Sequence, residues 1–77
     1  MFVKSNRGWL MLAHVPLRGE HVVEYLGLSD TRDNRRKAKN VLKQLENALR
    51  AGNLENEFAH RFPGSKNLSR LGLKSSA

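Results

Sequence analysis

Trp9-Leu10-Met11-Leu12-Ala13-His14-Val15-Pro16-Leu17, then Arg18-Gly19-Glu20, then His21-Val22-Val23-Glu24-Tyr25-Leu26: this stretch decides the fold. Its first segment is apolar and rich in residues that suit strands. Its last segment alternates as a half-exposed strand does. The turn between them is so short that the two strands must be antiparallel neighbours. Pro16 has no N–H to give to a ladder, so its end of the strand belongs at an edge or a bulge. Upstream, Phe2-Val3-Lys4-Ser5 reads as a short strand and Asn6-Arg7-Gly8 as a turn. The expectation is a three-stranded meander with strands at about 2–5, 9–17 and 21–27.

Beyond Gly27-Leu28-Ser29 the period changes. Ala38, Val41, Leu42, Leu45, Ala48 and Leu49 recur at spacings of three and four, one apolar stripe along a helix. Asp30-Thr31 offers an N-cap, Asp33 lies in the first turn, and Gly52 sits where a C-terminal cap belongs. The helix is expected over about 31–51. Leu54, Phe58 and Phe62 fall four apart, as in one or two helical turns folding back on the core, and Pro63-Gly64 stops them. The fold class is therefore α+β: a three-stranded antiparallel β-sheet packed on one C-terminal α-helix, with a short tail. Residues 1–62 form the domain and 63–77, polar and basic, form a flexible linker.

With 77 residues, one small domain is the limit. There is no cysteine, which excludes a disulfide framework and a thiolate zinc site. No apolar run approaches the roughly 20 residues of a membrane span, and Trp9–Ala13 is too short an apolar stretch to be expected to act as a secretory signal. Fourteen Lys plus Arg against seven Asp plus Glu leave a net charge of +7, the footprint of a nucleic-acid binder.

No catalytic constellation can be assembled, so the chain reads as a non-enzyme. His14 and His21 flank the hairpin and could approach each other, but nothing supplies the further ligands of a zinc site. Neither a metal, a cofactor nor a small-molecule ligand is expected. Two faces can meet DNA. The helix presents Arg32, Arg36, Lys39, Lys43 and Arg50 opposite its apolar stripe. With Met11 and Leu26 assigned to the helix side, the open sheet face shows Leu12, His14, His21, Val23 and Tyr25, with Arg18 at the hairpin tip. Such a platform can enter a major groove. Phosphate contacts would then come from Lys4, Arg7, Arg18 and the helix start at Arg32, Arg35 and Arg36. Glu24, on the inward side, is expected near an edge and paired with a cation. RNA binding through the sheet lacks the paired aromatics that stack bases. A different class of reading makes the chain a protein–protein interaction module, or a free-standing DNA-binding regulator, using the basic helix face.

The ordered elements Arg18-Gly19, Leu26-Gly27-Leu28, Asn34-Arg35, Ala51-Gly52 and Phe62-Pro63-Gly64-Ser65-Lys66 add a further clue. Over about residues 8–66 the chain resembles the amino-terminal, arm-type DNA-binding domain of phage and prophage tyrosine recombinases, the lambda-integrase-like integrases. Relatives often carry arginine or lysine where this chain has Pro16, His21 and Val23. The resemblance implies a three-stranded sheet on one helix, with the sheet placed in the major groove of double-stranded DNA at arm-type sites. It implies a role in site-specific recombination and DNA integration. It also implies other integrase subunits as further partners, and a cytoplasmic, nucleoid-associated location in a bacterial host. The family's catalytic half lies downstream, so the chain is expected to be an excised domain.

Overall fold

The computed structural model describes residues 1–73. Three strands, β1 (Phe2–Asn6), β2 (Trp9–Leu17) and β3 (Glu20–Ser29), precede three helices, α1 (Arg32–Arg50), α2 (Leu54–Arg61) and α3 (Lys66–Arg70). The strands form one antiparallel sheet in the order β1-β2-β3. The expected meander and its long helix are both present, and the helical turns expected around Phe58 are α2.

Both hairpins close with an Arg-Gly pair. Arg7 and Gly8 have φ of 54° and 83°; Arg18 and Gly19 have φ of 48° and 81°. Positive φ at both central residues is the turn whose twist matches the flanking strands. The side-chain phase of β2 is broken inside the strand. Leu12 opposes Glu24 and Val15 opposes Val22, so Ala13 and His14 together face the single residue Val23. His14 takes up this β-bulge at φ 57°. A second irregularity sits in β3, where Leu26, Gly27 and Leu28 lie opposite Leu10 alone.

The bulge overturns part of the face assignment. Leu10, Leu12, Val15 and Leu17 are essentially inaccessible, and Leu12, Val15 and Leu17 join Val22, Leu45, Leu54 and Phe58 in the core. Leu12, expected on the open face, therefore lies under the helices. Met11, expected inward, shares the open face with its register partners Lys4 and Tyr25. Alternation carried unbroken through the nine residues of β2 puts every side chain before the bulge on the wrong face. Leu26 lies inward as expected and packs on the core.

Helix α1 begins at Thr31, whose hydroxyl accepts from the Asn34 N–H at 3.2 Å. It ends at Gly52 with φ 73°: the Asn53 N–H reaches the Ala48 carbonyl at 2.7 Å and the Gly52 N–H reaches Leu49 at 3.1 Å. That paired arrangement satisfies the last carbonyls and needs a left-handed residue. Ala38 and Leu45 are buried on the sheet side, with Val41 and Leu42 half-buried beside them. Leu49, the last residue of the expected stripe, is 46% exposed.

The segment after Pro63 is not a loose tail along its described length. Ser65 caps α3 by accepting from the Asn67 N–H at 3.1 Å, and Leu68 is buried in the same core as Phe58. Asn67 donates to the Val23 carbonyl at 2.9 Å and to Glu24 Oε1 at 3.2 Å. The Ser65 hydroxyl donates to the same Glu24 oxygen. Glu24 thus lies on an edge strand as expected, but its partners are a hydroxyl and an amide rather than a cation. Leu68 in the core, Leu71 and Leu73 packed against it, and the polar contacts of Ser65, Asn67 and Arg70 to β3 hold this segment in place. Scattered leucines in a polar run gave no periodic signal of it.

Candidate nucleic-acid interface

With α1 and α2 on one face of the sheet, the other face is built by residues that pair across the strands. Phe2, Lys4 and Asn6 of β1 pair with Ala13, Met11 and Trp9 of β2; Met11 and Pro16 pair with Tyr25 and His21 of β3. Directly opposed residues share a face, and Val23 falls between His21 and Tyr25 with the same phase. Phe2, Trp9, Val23 and Tyr25 are 42–51% exposed. None of these outward positions holds a carboxylate.

The face is organised as two rows. In one, the rings of Phe2 and His14 lie 5.3 Å apart and those of His14 and His21 5.9 Å, the latter edge to face. The bulge makes this row, because the left-handed backbone at His14 turns its ring out between the two neighbouring strands. In the other, Asn6 Nδ2 donates to the Tyr25 hydroxyl at 2.9 Å across β2. Met11 below that bridge is 5% exposed, and Trp9 flanks it.

Arginines stand at both ends of the face. β2 runs between the Arg7 and Arg18 turns, which places them about 25 Å apart at ~3.3 Å per residue. Arg18 is held back: its Nε lies 3.7 Å from Glu55 and its Nη1 donates to the Leu71 carbonyl at 3.4 Å. Arg7 has no carboxylate partner among the described residues.

Along β1 a cleft lined by Lys4, Ser5, Arg35 and Lys39 joins the sheet edge to α1, and Arg32 and Arg36 continue it along the helix. Arg35 is committed. Its Nη2 donates to Asp30 Oδ2 at 2.8 Å and its Nε to the other carboxylate oxygen. That guanidinium holds the Asp30 carboxyl at about 2, against an ordinary 3.8; the Ser5 hydroxyl assists and partial desolvation opposes. Lys4, Arg32 and Arg36 have no carboxylate partner among the described residues. The opposite rim, along β3, is occupied by α3, where Arg70 Nη1 meets Glu20 at 3.1 Å.

Of the residues singled out from the sequence, His14, His21, Val23 and Tyr25 are brought together on one face. Lys4 stands on that face, Arg7 lies at its end, Arg32 and Arg36 lie on α1 beyond the β1 edge, Arg18 and Arg35 are paired, and Leu12 is in the core. Sequence reasoning missed Phe2, Asn6, Trp9 and Pro16. β1 itself was expected, and the alternation of Phe2, Lys4 and Asn6 could have shown which of its residues face outward. Nothing marked the phase of Trp9 except that His14 is the one polar residue in its strand.

No described helix is long and apolar enough to cross a membrane. Neither a curated protein nor a solved structure matches the chain. A family model described as an Arm DNA-binding domain matches residues 14–66, more than half of the chain. That span takes in the bulge, the second Arg-Gly turn, β3, α1, α2 and the start of α3. A three-stranded sheet followed by one long helix, a carboxylate-free open face and this match agree, and the chain belongs to the Arm DNA-binding domain family, the amino-terminal DNA-binding module of integrases.

Proposed function

We propose that the open face of the sheet lies in the major groove of double-stranded DNA at arm-type sites, serving site-specific recombination and integration in a phage or prophage context. The observation that carries this reading is the face itself: no outward carboxylate, and an Arg-Gly turn at each end. Its size suits the task. Strands spaced ~4.8 Å apart put β1 and β3 about 10 Å from each other, within a groove about 12 Å wide. Asn6, His14, His21 and Tyr25 carry the groups that can address base edges, and Val23 offers apolar contact to thymine methyls. Lys4, Arg7, Arg32 and Arg36 hold phosphates, which positions the domain without specifying sequence. Arg18 and Arg35 join them only by exchanging a carboxylate for a phosphate. The chain itself is a binding module, with chemistry left to the recombinase it serves; its setting is the bacterial cytoplasm.

Four free cations set the expected salt dependence. The logarithm of the association constant should fall with the logarithm of salt at a slope of about −3.6. Amide chemical-shift mapping with an attachment-arm duplex tests the face. Shifts on residues 2–25 with little change over residues 40–50 support it. Shifts confined to 36–50, or no preference over random duplex, sink it.

The second reading keeps the same fold and uses α1. Arg32, Arg36 and Lys39 share one shallow depression with Arg35, a surface suited to an acidic partner such as a neighbouring integrase subunit. Charge reversal at Lys39 and Lys43, neither of them among the phosphate-holding cations, separates the two readings: lost partner binding with intact duplex binding favours the helix.

A further inference from the structure

Among the described residues, four of the five large apolar side chains that stand out to solvent lie on the open face: Phe2, Trp9, Val23 and Tyr25, with Leu49 elsewhere. Three of the four are aromatic, and His14 and His21 add two more rings. The sequence did not show paired aromatics because the bulge at Ala13–His14 creates the pairing. A duplex groove offers base edges and methyl groups but no base faces. Half-exposed rings set out in rows are matched instead by unpaired bases, each of which has a π-face to stack.

We infer that this face also binds single-stranded DNA, stacking bases on Trp9 and Tyr25 at one end and on the Phe2–His14–His21 row at the other. The rows are about 13 Å apart, four residue steps of ~3.3 Å along β3 from His21 to Tyr25. Stacked neighbours in a duplex are 3.4 Å apart, so the rows receive separate bases of one strand rather than consecutive ones. Lys4, opposite Met11 and between the rows, faces the intervening phosphates. The Asn6–Tyr25 hydrogen bond fixes the phenol ring before any ligand arrives, which lowers the ordering cost of binding. Phe2, Lys4 and Trp9 lie outside the span matched by the family model, so this activity goes beyond what the family implies. It rests on the proposed reading in one respect: the open sheet face is the nucleic-acid face.

Trp9 is the sole tryptophan and reports directly on its own site. The full chain is titrated with oligothymidylate of about 12 nucleotides, inside the ~4–16 nucleotide range of such platforms. Binding is read by tryptophan emission and by anisotropy of a labelled oligonucleotide. Stacking quenches the emission. Trp9→Ala and Tyr25→Ala each weaken binding about tenfold, whereas Trp9→Phe stays within about threefold because a ring is kept. Trp9 is half-exposed, so these variants keep their helical circular dichroism. Unquenched emission, or a Trp9→Ala chain that binds as well as the parent, overturns the inference. So does weakening by Lys4→Ala without weakening by either aromatic truncation, since charge alone would then account for binding. A labelled duplex in the same buffer reports groove docking separately. Duplex binding without oligothymidylate binding sinks only the stacking inference; oligothymidylate binding without duplex binding supports it and sinks groove docking.

Discussion

The two turns of the sheet carry the same dipeptide in the same backbone conformation, yet their arginines are in opposite states. Arg7 projects from the β1–β2 turn without a carboxylate partner among the described residues, and Arg18 projects from the β2–β3 turn into the grip of Glu55 and the Leu71 carbonyl. Local sequence settles the backbone of each turn. What each side chain is free to do is decided by segments far along the chain: α2 supplies the carboxylate and the end of α3 the carbonyl. A left-handed arginine is also an unfavourable choice at both tips. The conformation costs a residue with a Cβ roughly 1–2 kcal/mol, which asparagine largely avoids. Charge at the extremity of the sheet is thus held at the expense of stability, twice.

The largest effect should come from removing what makes the turns differ. Leu68→Ala empties a buried site under α3 and should cost about 2–3 kcal/mol, lowering the melting temperature by on the order of 10 °C. With α3 loosened, Leu71 no longer holds Arg18. Combined with Glu55→Gln, which removes its carboxylate partner, truncating Arg18 should then lower duplex affinity almost as much in this background as truncating Arg7 does. Binding isotherms of the single and combined variants check this, and an unchanged Arg18 contribution would break the comparison.

Next in size is asparagine at each tip. Arg7→Asn should weaken duplex binding about fivefold and make the salt slope shallower by about 0.9. It should also stabilise the fold by about 1 kcal/mol in chemical denaturation. Arg18→Asn gains the same turn but loses two contacts, so its net stability change and its loss of affinity should both be smaller. Equal responses at the two tips would mean that the tail contact has no energetic weight.

A smaller effect is expected from Glu55→Gln. The pair is about half exposed on both sides, so stability should change by less than about 1 kcal/mol. Duplex affinity should rise about twofold as Arg18 becomes available. The smallest concerns Arg35, the other paired arginine. Asp30 titrates at about 2 in the folded protein against 3.8 ordinarily. A depressed carboxyl contributes stability that is complete above its unfolded value and is lost as pH falls from there through the folded one. Comparing denaturation at about pH 5 and about pH 2.5 should reveal this loss, and Asp30→Asn should remove that part of it. The same variant frees Arg35 to act as Arg7 does.

Much of this was legible in the sequence because it rests on short-range rules. The period of three and four from Ala38 to Leu45, the Thr31 cap and Gly52 gave α1 to within a residue or so. Two tight turns gave the meander. Two features escaped for physical reasons. A β-bulge shifts side-chain phase by one residue, and a strand whose one polar residue, His14, sits in the bulge itself has no polar alternation to betray it, so Leu12 and Met11 were exchanged. Pro16 hinted at the irregularity without locating it. Its place follows from β1 being short: pairing with β1 stops at Ala13, so the central strand is itself an edge beyond that point. The docking of α3 escaped because the helix is only five residues long, too short to show a period, and is held by scattered contacts: Leu68, Leu71 and Leu73 with the core, Ser65 and Asn67 with β3.

That asparagine has one more consequence. A bare strand margin is a template for another chain's backbone, and proteins that leave one uncovered risk stacking into insoluble assemblies. By capping the Val23 carbonyl, Asn67 blocks strand addition at that point of the β3 margin, which leaves β1 and the end of β2 beyond Ala13 as the margins open to another strand. A chain shortened to end at Gly64 should therefore fail through turbidity, with intact helix signal at the onset of precipitation, rather than through simple unfolding.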